Sequence, residues 1–213
     1  MVTSDVRTVL VVAAERFELK HIRPRDGEEW ILTANGPGRV LAARAMDRVA
    51  RSVDAVLSTG LCGGLVEGLE VGDIVVGTAV NGAPTDLPRA DGRRFVAGPI
   101  ASVDRVVQSV VEKNALRATG AVAVEMEAAG VLERAREWGV PFYCVRVVSD
   151  TWNEGFTLDL NGARDESGRF RARRIVAQAM RRPVSGVPEL MRLRRNAAVA
   201  ARALGEFIGN CSF

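Results

Sequence analysis

The sequence predicts an α/β fold in which helices cover both faces of a largely parallel sheet. Short β-branched or apolar runs alternate with helical segments along the chain. The runs have strand length and are almost continuously apolar, as in strands that are buried on both faces. The 213 residues, 47% of them hydrophobic, are enough to bury one sizeable core. We therefore expect a single domain over residues 1–213.

Six strands follow from the apolar runs. They are predicted at residues 6–13, 30–34, 55–59, 73–80, 121–126 and 142–148. Residues 81–94 lack periodicity and carry two glycines and two prolines, which indicates an exposed loop rather than a domain boundary.

Helices are predicted between and after these strands. One covers residues 39–52, directly after Gly36-Pro37-Gly38, and one covers 128–138, ending at Gly139 before Pro141. Two Arg-rich helical segments close the chain at residues 170–181 and 188–208.

The charge balance excludes some functions. There are 29 basic and 26 acidic residues, a net charge of +3, and 27 of the basic residues are arginine. So weak a net charge argues against a nucleic-acid binder. Arginines collect in residues 164–202, where the pattern fits either a solvated helix face or a surface for an anionic partner or membrane. No apolar run approaches the roughly 20 residues that cross a bilayer, so we expect a protein that is soluble or at most membrane-associated. Membrane association is thus possible but is not predicted.

The cysteines indicate a reduced protein. Cys62, Cys144 and Cys211 are an odd number in contexts unlike a disulfide framework. No charged-then-apolar leader opens the chain, so we expect a cytoplasmic location.

The end of the third predicted strand carries the first candidate site, Ser58-Thr59-Gly60-Leu61-Cys62-Gly63-Gly64. Its glycines would let backbone amides approach a ligand, although a tight turn also needs glycines. The segment lacks the pattern of a phosphate-binding loop or a dinucleotide fingerprint. Cys62 is a candidate nucleophile, but His21 is the only histidine. That scarcity disfavours a Cys/His dyad, a Ser/His/Asp triad and a histidine-built metal site, so we expect no metal and no cofactor.

Two further strand ends carry charged residues. Glu125 and Glu127 are on alternate positions of a strand, where both carboxylates point to the same side. That placement is unfavourable unless one binds something, although Glu127 also suits the start of the next helix. Arg146 lies in an apolar strand that ends in Ser149-Asp150. A buried arginine needs a carboxylate or a ligand oxygen, so the alternatives are a binding site or a salt bridge with a helix cap.

Taken together, these motifs resemble the nucleoside phosphorylase and nucleosidase superfamily, and within it the methylthioadenosine/S-adenosylhomocysteine nucleosidases. The resemblance runs from about residue 9 to residue 150 through the Gly60–Gly64 segment, Leu69-x-Val71-Gly72-Asp73, Val124-Glu125-Met126-Glu127-Ala128 and the strand that leads to Ser149-Asp150. The last sixty residues resemble the hopanoid-associated nucleosidases, which act on a lipid-linked adenosine. The resemblance implies a three-layer α/β/α sandwich around a mixed, mostly parallel sheet, and a homo-oligomer.

The resemblance also implies roles for residues. Asp150 would protonate a purine base at N7, as a general acid. Glu127 would accept hydrogen bonds from the ribose hydroxyls, with Met126 packed against the sugar. Glu18 or Glu15 would activate water, and Glu18 is preferred. Arg146 would orient that glutamate or the oxygens of the incoming nucleophile.

The expected substrate is a small nucleoside, and Gly63, Cys62, Ser149 and Val106 are expected to line its site. Ser58 stands where several phosphorylases of this superfamily carry an arginine, which favours hydrolysis over phosphorolysis, with Arg39 or Arg16 as other sources of positive charge. Val106 stands where the methylthioadenosine enzymes carry phenylalanine, and Trp152 is either an aromatic wall or a core residue. The alternatives are a phosphate-dependent phosphorylase and a noncatalytic nucleoside-binding protein.

Overall fold

A computed structural model describes residues 6–25, 27–49, 52–90 and 92–213. Its strands are β1 (Arg7–Ala13), β2 (Glu28–Ala34), β3 (Ala55–Gly64), β4 (Ile74–Val80), β5 (Ala83–Pro84), β6 (Arg89–Ala90), β7 (Val96–Ser102), β8 (Ala123–Glu125), β9 (Phe142–Asp150) and β10 (Cys211–Ser212). Its helices are α1 (Arg39–Met46), α2 (Val110–Arg117), α3 (Ala128–Trp138), α4 (Ala172–Arg181) and α5 (Pro183–Ile208).

The main sheet is mixed and mostly parallel, which confirms the predicted fold class. Strand β1 pairs in parallel with β2 and β3, β3 with β9, β4 with β7, and β7 with β8. The antiparallel pairs are β3 with β8, β4 with β9, and β4 with the short β5. Because β9 pairs with both β3 and β4 while β8 pairs with β3 and β7, these five strands close on themselves. The ends of β3, β8 and β9 therefore lie side by side.

Helices pack on both faces of the sheet. On one face α1 and α3 bury Ala42, Met46, Val131 and Leu132 in a cluster with residues of the sheet. On the other face α5 buries apolar residues, among them Leu204, against β1, β3 and β9. The buried strands thus carry apolar side chains on both sides, as their continuous hydrophobicity predicts.

The predicted third strand is too short. Strand β3 continues from Ala55 to Gly64, and its register with β9 shifts between Cys62 and Gly63. The glycines predicted as a turn are therefore part of a strand with an irregularity. Their close neighbours, described below, explain why side chains are absent there.

Strand β7 and helix α2 were not predicted. Strand β7 contains Gly98 and Pro99, which are typical of turns, and its register with β4 shifts between Gly77 and Ala79, opposite that proline. Helix α2 begins with a capping box in which the Ser109 hydroxyl accepts a hydrogen bond from the amide of Glu112, and the Glu112 carboxylate accepts one from the amide of Ser109.

The other boundaries differ by smaller amounts. The predicted loop at 81–94 contains β5 and β6, with residue 91 outside the described residues. Helix α1 ends at Met46 rather than at residue 52, and residues 50 and 51 lie outside the described residues. Helix α3 has the predicted bounds. Helix α5 starts at Pro183, a proline in its first turn, and not at Pro188, where the sequence predicts its start. Pro188 lies inside the helix.

The arginines after residue 164 are partly used within the fold. The Arg169 guanidinium donates to the Asn35 side chain at 2.7 Å, and Arg192 pairs with Glu154 at 2.6 Å. Among the described residues, no helix combines the length and apolar character needed to pass through a bilayer.

Candidate active site

The strand ends enclose one cavity of about 390 Å³. Eight residues predicted for the site line it, namely Glu18, Cys62, Gly63, Val106, Met126, Glu127, Ser149 and Asp150. Apolar side chains form much of the remaining wall, among them Phe17, Leu61, Phe156, Leu160 and Phe170. The cavity therefore combines a largely apolar wall with a few carboxyl groups, as small-molecule sites do.

Asp150 ends β9 beside the cavity and is buried. Its Oδ1 accepts a hydrogen bond from the Ser149 hydroxyl at 2.9 Å, and its Oδ2 lies 2.5 Å from Nζ of Lys113. Burial raises the pKa of the Asp150 carboxyl, whereas Lys113 and Ser149 act to lower it. The protonation of Asp150 is thus set by its burial and by the neighbouring Lys113 and Ser149.

Glu127 lies between β8 and α3, at another part of the cavity wall. Its Oε1 accepts from the amide of Gly38 at 2.9 Å, and its Oε2 lies 3.3 Å from Nη1 of Arg146. Burial and the neighbouring Glu125 raise the pKa of Glu127 to about 7, against the opposing effect of Arg146. Glu127 therefore changes charge near neutral pH.

Arg146 does not line the cavity and is fully buried behind its wall. Its guanidinium is ion-paired with Glu125 and Glu127, and it donates to the Ser58 hydroxyl at 2.7 Å and to the Thr59 carbonyl at 2.9 Å. The sequence left open whether Arg146 orients the water-activating glutamate or the oxygens of the nucleophile, and both roles stay predictions. Its partners are the two glutamates of the β8 end, and it holds Glu127 in place.

Glu125 binds the start of α3 and Arg146. Besides its pair with Arg146, its Oε2 accepts from the amides of Glu127 and Ala128 at 2.9 Å each, at the start of α3. The carboxylate that satisfies the first amides of this helix is thus Glu125, and the Glu127 side chain makes no capping bond. This arrangement leaves Glu127 directed to the cavity.

Glu18 lies in the turn after β1, and its carboxylate is held by two backbone amides. Its Oε1 accepts from Leu61 at 2.9 Å and its Oε2 accepts from Glu15 at 2.7 Å. Burial raises the pKa of Glu18, while these amides and Arg146 oppose that change. Glu15 also lines the cavity but is only half-buried, and its own amide is what holds Glu18.

Two glycines of β3 permit these positions. A Cβ on Gly60, which has a φ of 132°, would lie 2.7 Å from Oε1 of Glu18. A Cβ on Gly63 would lie 2.9 Å from Oδ2 of Asp150. The glycines therefore make room for the carboxyl groups of the protein, and the approach of their backbone amides to a ligand stays a prediction.

Cys62 is not placed as a nucleophile. It is buried, and burial raises the pKa of its thiol well above the usual value. His21 lies on a different surface, beside α5, and does not line the cavity. The Cys/His dyad that the sequence left open is therefore not formed.

The three cysteines are buried, and burial raises the pKa of Cys144 to about 12. We expect iodoacetamide at pH 7.5 to leave all three unmodified in the folded protein, because the attacking species is the thiolate. Mass spectrometry should find three modified thiols after unfolding in guanidinium chloride. Rapid modification of Cys62 in the folded protein would contradict this account.

The segment before α2 and the segment after β9 also contribute residues to the cavity wall. Val106 is fixed by Asn161, whose side chain accepts from the Val106 amide at 2.8 Å and donates to its carbonyl at 2.9 Å. Trp152 does not line the cavity and lies against Arg117, so it is not the predicted aromatic wall. Phe156 takes that position instead.

The cavity wall, as far as the structure describes it, carries little positive charge. Among the described residues that line the cavity, Arg105 carries the cationic side chain, and it is paired with Glu112. Arg39 pairs with Glu133 on the outside, and neither Arg39 nor Arg16 lines the cavity. The two arginines that the sequence offered as further positive charge therefore do not reach this site.

Lys113 was missed by sequence reasoning. It is 1% exposed, and its Nζ lies 2.5 Å from Asp150 and 2.6 Å from the Thr151 carbonyl. The Ser-x-x-Glu capping signal at residues 109–112 would have placed it on a helix, and it is one of only two lysines in the chain. Neither signal says which residue it contacts.

The comparisons with known proteins agree with this architecture. A sequence profile of the phosphorylase superfamily matches residues 11–87 and 85–181. A 5′-methylthioadenosine/S-adenosylhomocysteine nucleosidase from Actinobacillus succinogenes is 30% identical over 159 residues, covering 59% of this chain and 69% of the relative.

Two solved structures from Helicobacter pylori share the fold. One is a 5′-methylthioadenosine/S-adenosylhomocysteine nucleosidase, with a TM-score of 0.67, 20% identity, and coverage of 95% of this chain and 96% of the other. The second is a futalosine hydrolase, with a TM-score of 0.66, 20% identity and the same coverage.

Proposed function

Because this chain belongs to the phosphorylase superfamily, we propose that it is a purine nucleosidase that hydrolyses the N-glycosidic bond of an adenosine-like nucleoside. The observation that carries the proposal is the placement of Asp150, Glu127 and Glu18 around one cavity in three different environments. Breaking this bond needs a proton for the base, a hold on the sugar and an activated water. The three carboxyl groups supply one function each.

Asp150 is the group that protonates the base. The leaving purine carries the electron pair of the broken bond, and a proton on N7 makes it a neutral leaving group. A buried carboxyl with a raised pKa suits that donation near neutral pH. Ser149 fixes one of its oxygens.

Glu127 binds the sugar. As a carboxylate it accepts hydrogen bonds from two ribose hydroxyls, and Met126 lies beside it on the wall. The negative charge also stabilises a sugar that becomes positively charged in the transition state. Arg146 and the amide of Gly38 hold the carboxylate in place.

Glu18 activates water. Each of its oxygens accepts one backbone hydrogen bond, which leaves further acceptor capacity on the carboxylate. A water at this position is oriented toward the sugar and gives its proton to Glu18 as it attacks. We prefer Glu18 to Glu15 because Glu18 is buried and fixed at both oxygens.

Water is favoured over phosphate as the nucleophile. A phosphorylase must bind a dianion, and the cation on the described wall, Arg105, is already paired with Glu112. Ser58, at the position where an arginine would bind phosphate, instead accepts a hydrogen bond from Arg146. Self-association and a cytoplasmic location stay predictions.

The test is base release from methylthioadenosine, S-adenosylhomocysteine, adenosine and inosine, with and without phosphate, followed by chromatography. We expect release of the base and a free sugar without phosphate. The 7-deaza analogue of the best substrate should not react, because its C7 cannot take up the proton. Release that requires phosphate would identify a phosphorylase, and tight nucleoside binding without any product would identify a binding protein.

The pH dependence of substrate binding is expected to follow Glu127. Since its pKa is raised to about 7, it takes up a proton as the pH falls through that value. The neutral acid accepts fewer hydrogen bonds from the ribose, so KM should rise on the acidic side of pH 7. Glu127→Gln should raise KM about 10-fold or more at pH 8 and remove most of this dependence, since hydrogen bonds to charged groups contribute about 1.5–3 kcal/mol. Steady-state kinetics from pH 5.5 to 9 measures this, and an unchanged KM in Glu127→Gln would contradict the role.

A further inference from the structure

A general acid needs a protonated carboxyl group, yet Asp150 is also paired with a buried lysine, Lys113. Lys113 reaches from α2 to the end of β9 and is almost fully buried. Its Nζ has two oxygen partners, Oδ2 of Asp150 and the Thr151 carbonyl, and lies 5.8 Å from the centre of the Phe156 ring. A buried ammonium with a single carboxylate partner is costly to maintain, because both ions lose their hydration.

In this ion pair the proton can reside on Lys113 or on Asp150. A carboxylate that accepts from an ammonium and from the Ser149 hydroxyl is stabilised in its charged form. In that form Asp150 has no proton for the base. The ammonium beside it carries one.

Resting on the nucleosidase function proposed above, we propose that Lys113 and Asp150 act as one proton donor, with Lys113 acting through Asp150. As the bond from C1′ to the base breaks, its electron pair moves to the base and N7 takes the proton of the Asp150 carboxyl. Asp150 receives that proton from the Lys113 ammonium, which becomes a neutral amine. Water adds hydroxide to C1′ and gives its other proton to Glu18. After the products leave, Lys113 regains a proton from solvent and Glu18 releases one.

The chemistry of the side chain supports this assignment. An ammonium group can release a proton, whereas a guanidinium stays charged throughout the pH range of proteins. At the buried position behind the sugar site the chain carries Arg146, while at the position behind the acid it carries Lys113. The first needs a permanent charge and the second needs a mobile proton.

Besides Lys113, the titratable groups near Asp150 in the described part of the chain include Cys62 and Glu154. Cys62 of β3 faces it with a thiol whose pKa is raised, so it stays neutral. Glu154, which follows β9, raises the pKa of Asp150, and it is paired with Arg192 of α5. From α2 the contribution is Lys113. The protonation of Asp150 is therefore governed chiefly by its burial and by Lys113.

The test compares the pH profiles of kcat for the wild type, Lys113→Met and Lys113→Arg, on whichever of methylthioadenosine or adenosine the wild type cleaves. In Lys113→Met the proton must reside on Asp150 itself, so kcat should stay within about 10-fold of wild type at low pH. As the pH rises, kcat of Lys113→Met should then fall at a lower pH than kcat of the wild type does. Lys113→Arg keeps the charge without a releasable proton and should lower kcat about 100-fold at neutral and alkaline pH, with KM changed little.

The control is Lys20→Met, which removes the chain's other lysine, an exposed one, and should leave the profile unchanged. Thermal denaturation establishes whether each variant is folded. If Lys113→Met does not fold, the kcat of Lys113→Arg alone decides the outcome. Wild-type kcat in Lys113→Arg, or a fall of kcat in Lys113→Met at the wild-type pH or at a higher pH, would show that Lys113 does not supply the proton, because removing Lys113 alone raises the pKa of Asp150. If Asp150→Asn also kept its turnover, the nucleosidase mechanism itself would fail, and this inference with it. If Asp150→Asn loses turnover while the Lys113 variants do not, only this inference fails.

Discussion

Replacing Asp150 with asparagine is expected to lower kcat about 10²–10⁴-fold, the range that general acid catalysis contributes. Asparagine keeps the shape of the side chain and can donate a hydrogen bond to N7, but it cannot transfer a proton to the leaving base. Product release measured by absorbance at saturating substrate is the assay. Glu67→Gln, at an exposed site away from the cavity, is the matched control and should keep full activity.

This variant should also be less stable, because it leaves the Lys113 ammonium buried without its countercharge. Breaking a buried pair from one side costs about 3–5 kcal/mol. The double variant Asp150→Asn/Lys113→Met should regain much of this stability without regaining turnover. Near-normal kcat in Asp150→Asn would remove Asp150 from the mechanism.

Replacing Arg146 with methionine is expected to destabilise the fold by about 3–5 kcal/mol. The guanidinium is 0% exposed and is the countercharge of both Glu125 and Glu127. Without it, two buried carboxylates face each other, and Glu127 loses the group that fixes it at the sugar. Urea denaturation followed by circular dichroism measures the free energy of unfolding.

The matched control is Arg134→Met, which removes a partly exposed arginine that pairs with Asp47 and Glu137. Surface ion pairs contribute about 0–1 kcal/mol, so this variant should be nearly as stable as the wild type. Equal losses in the two variants would show that Arg146 is not the buried centre of charge described here.

The parts of the fold that were predicted correctly are those whose local signals agree with the tertiary structure. Helix α3 starts after a charged strand end and finishes at Gly139, which adopts the left-handed conformation, and its bounds were correct. Strand β7 was missed because Gly98 and Pro99 suggest a turn, whereas the register shift of β4 and β7 accommodates the proline. That accommodation is a property of the pairing and is not visible in either strand alone.

The sequence identified most residues of the site but did not identify the contacts between them. The pattern Glu-x-Glu and the strand-end Asp150 identified three carboxyl groups, because charged residues next to apolar strands need a partner. Which partner each has depends on the sheet, where β3 lies between β8 and β9. The sequence therefore assigned Arg146 to the water-activating glutamate or to the nucleophile, whereas it pairs with Glu125 and Glu127. Lys113 was missed because its helix was missed.

The proposed mechanism requires Asp150 and Glu127 to face opposite halves of one bound nucleoside. A crystal structure of the protein with adenine and a ribose analogue measures this directly. We expect an Asp150 oxygen within hydrogen-bond distance of N7 of the base, and both Glu127 oxygens directed at the sugar hydroxyls. A base bound away from Asp150, or a sugar that does not contact Glu127, would contradict it.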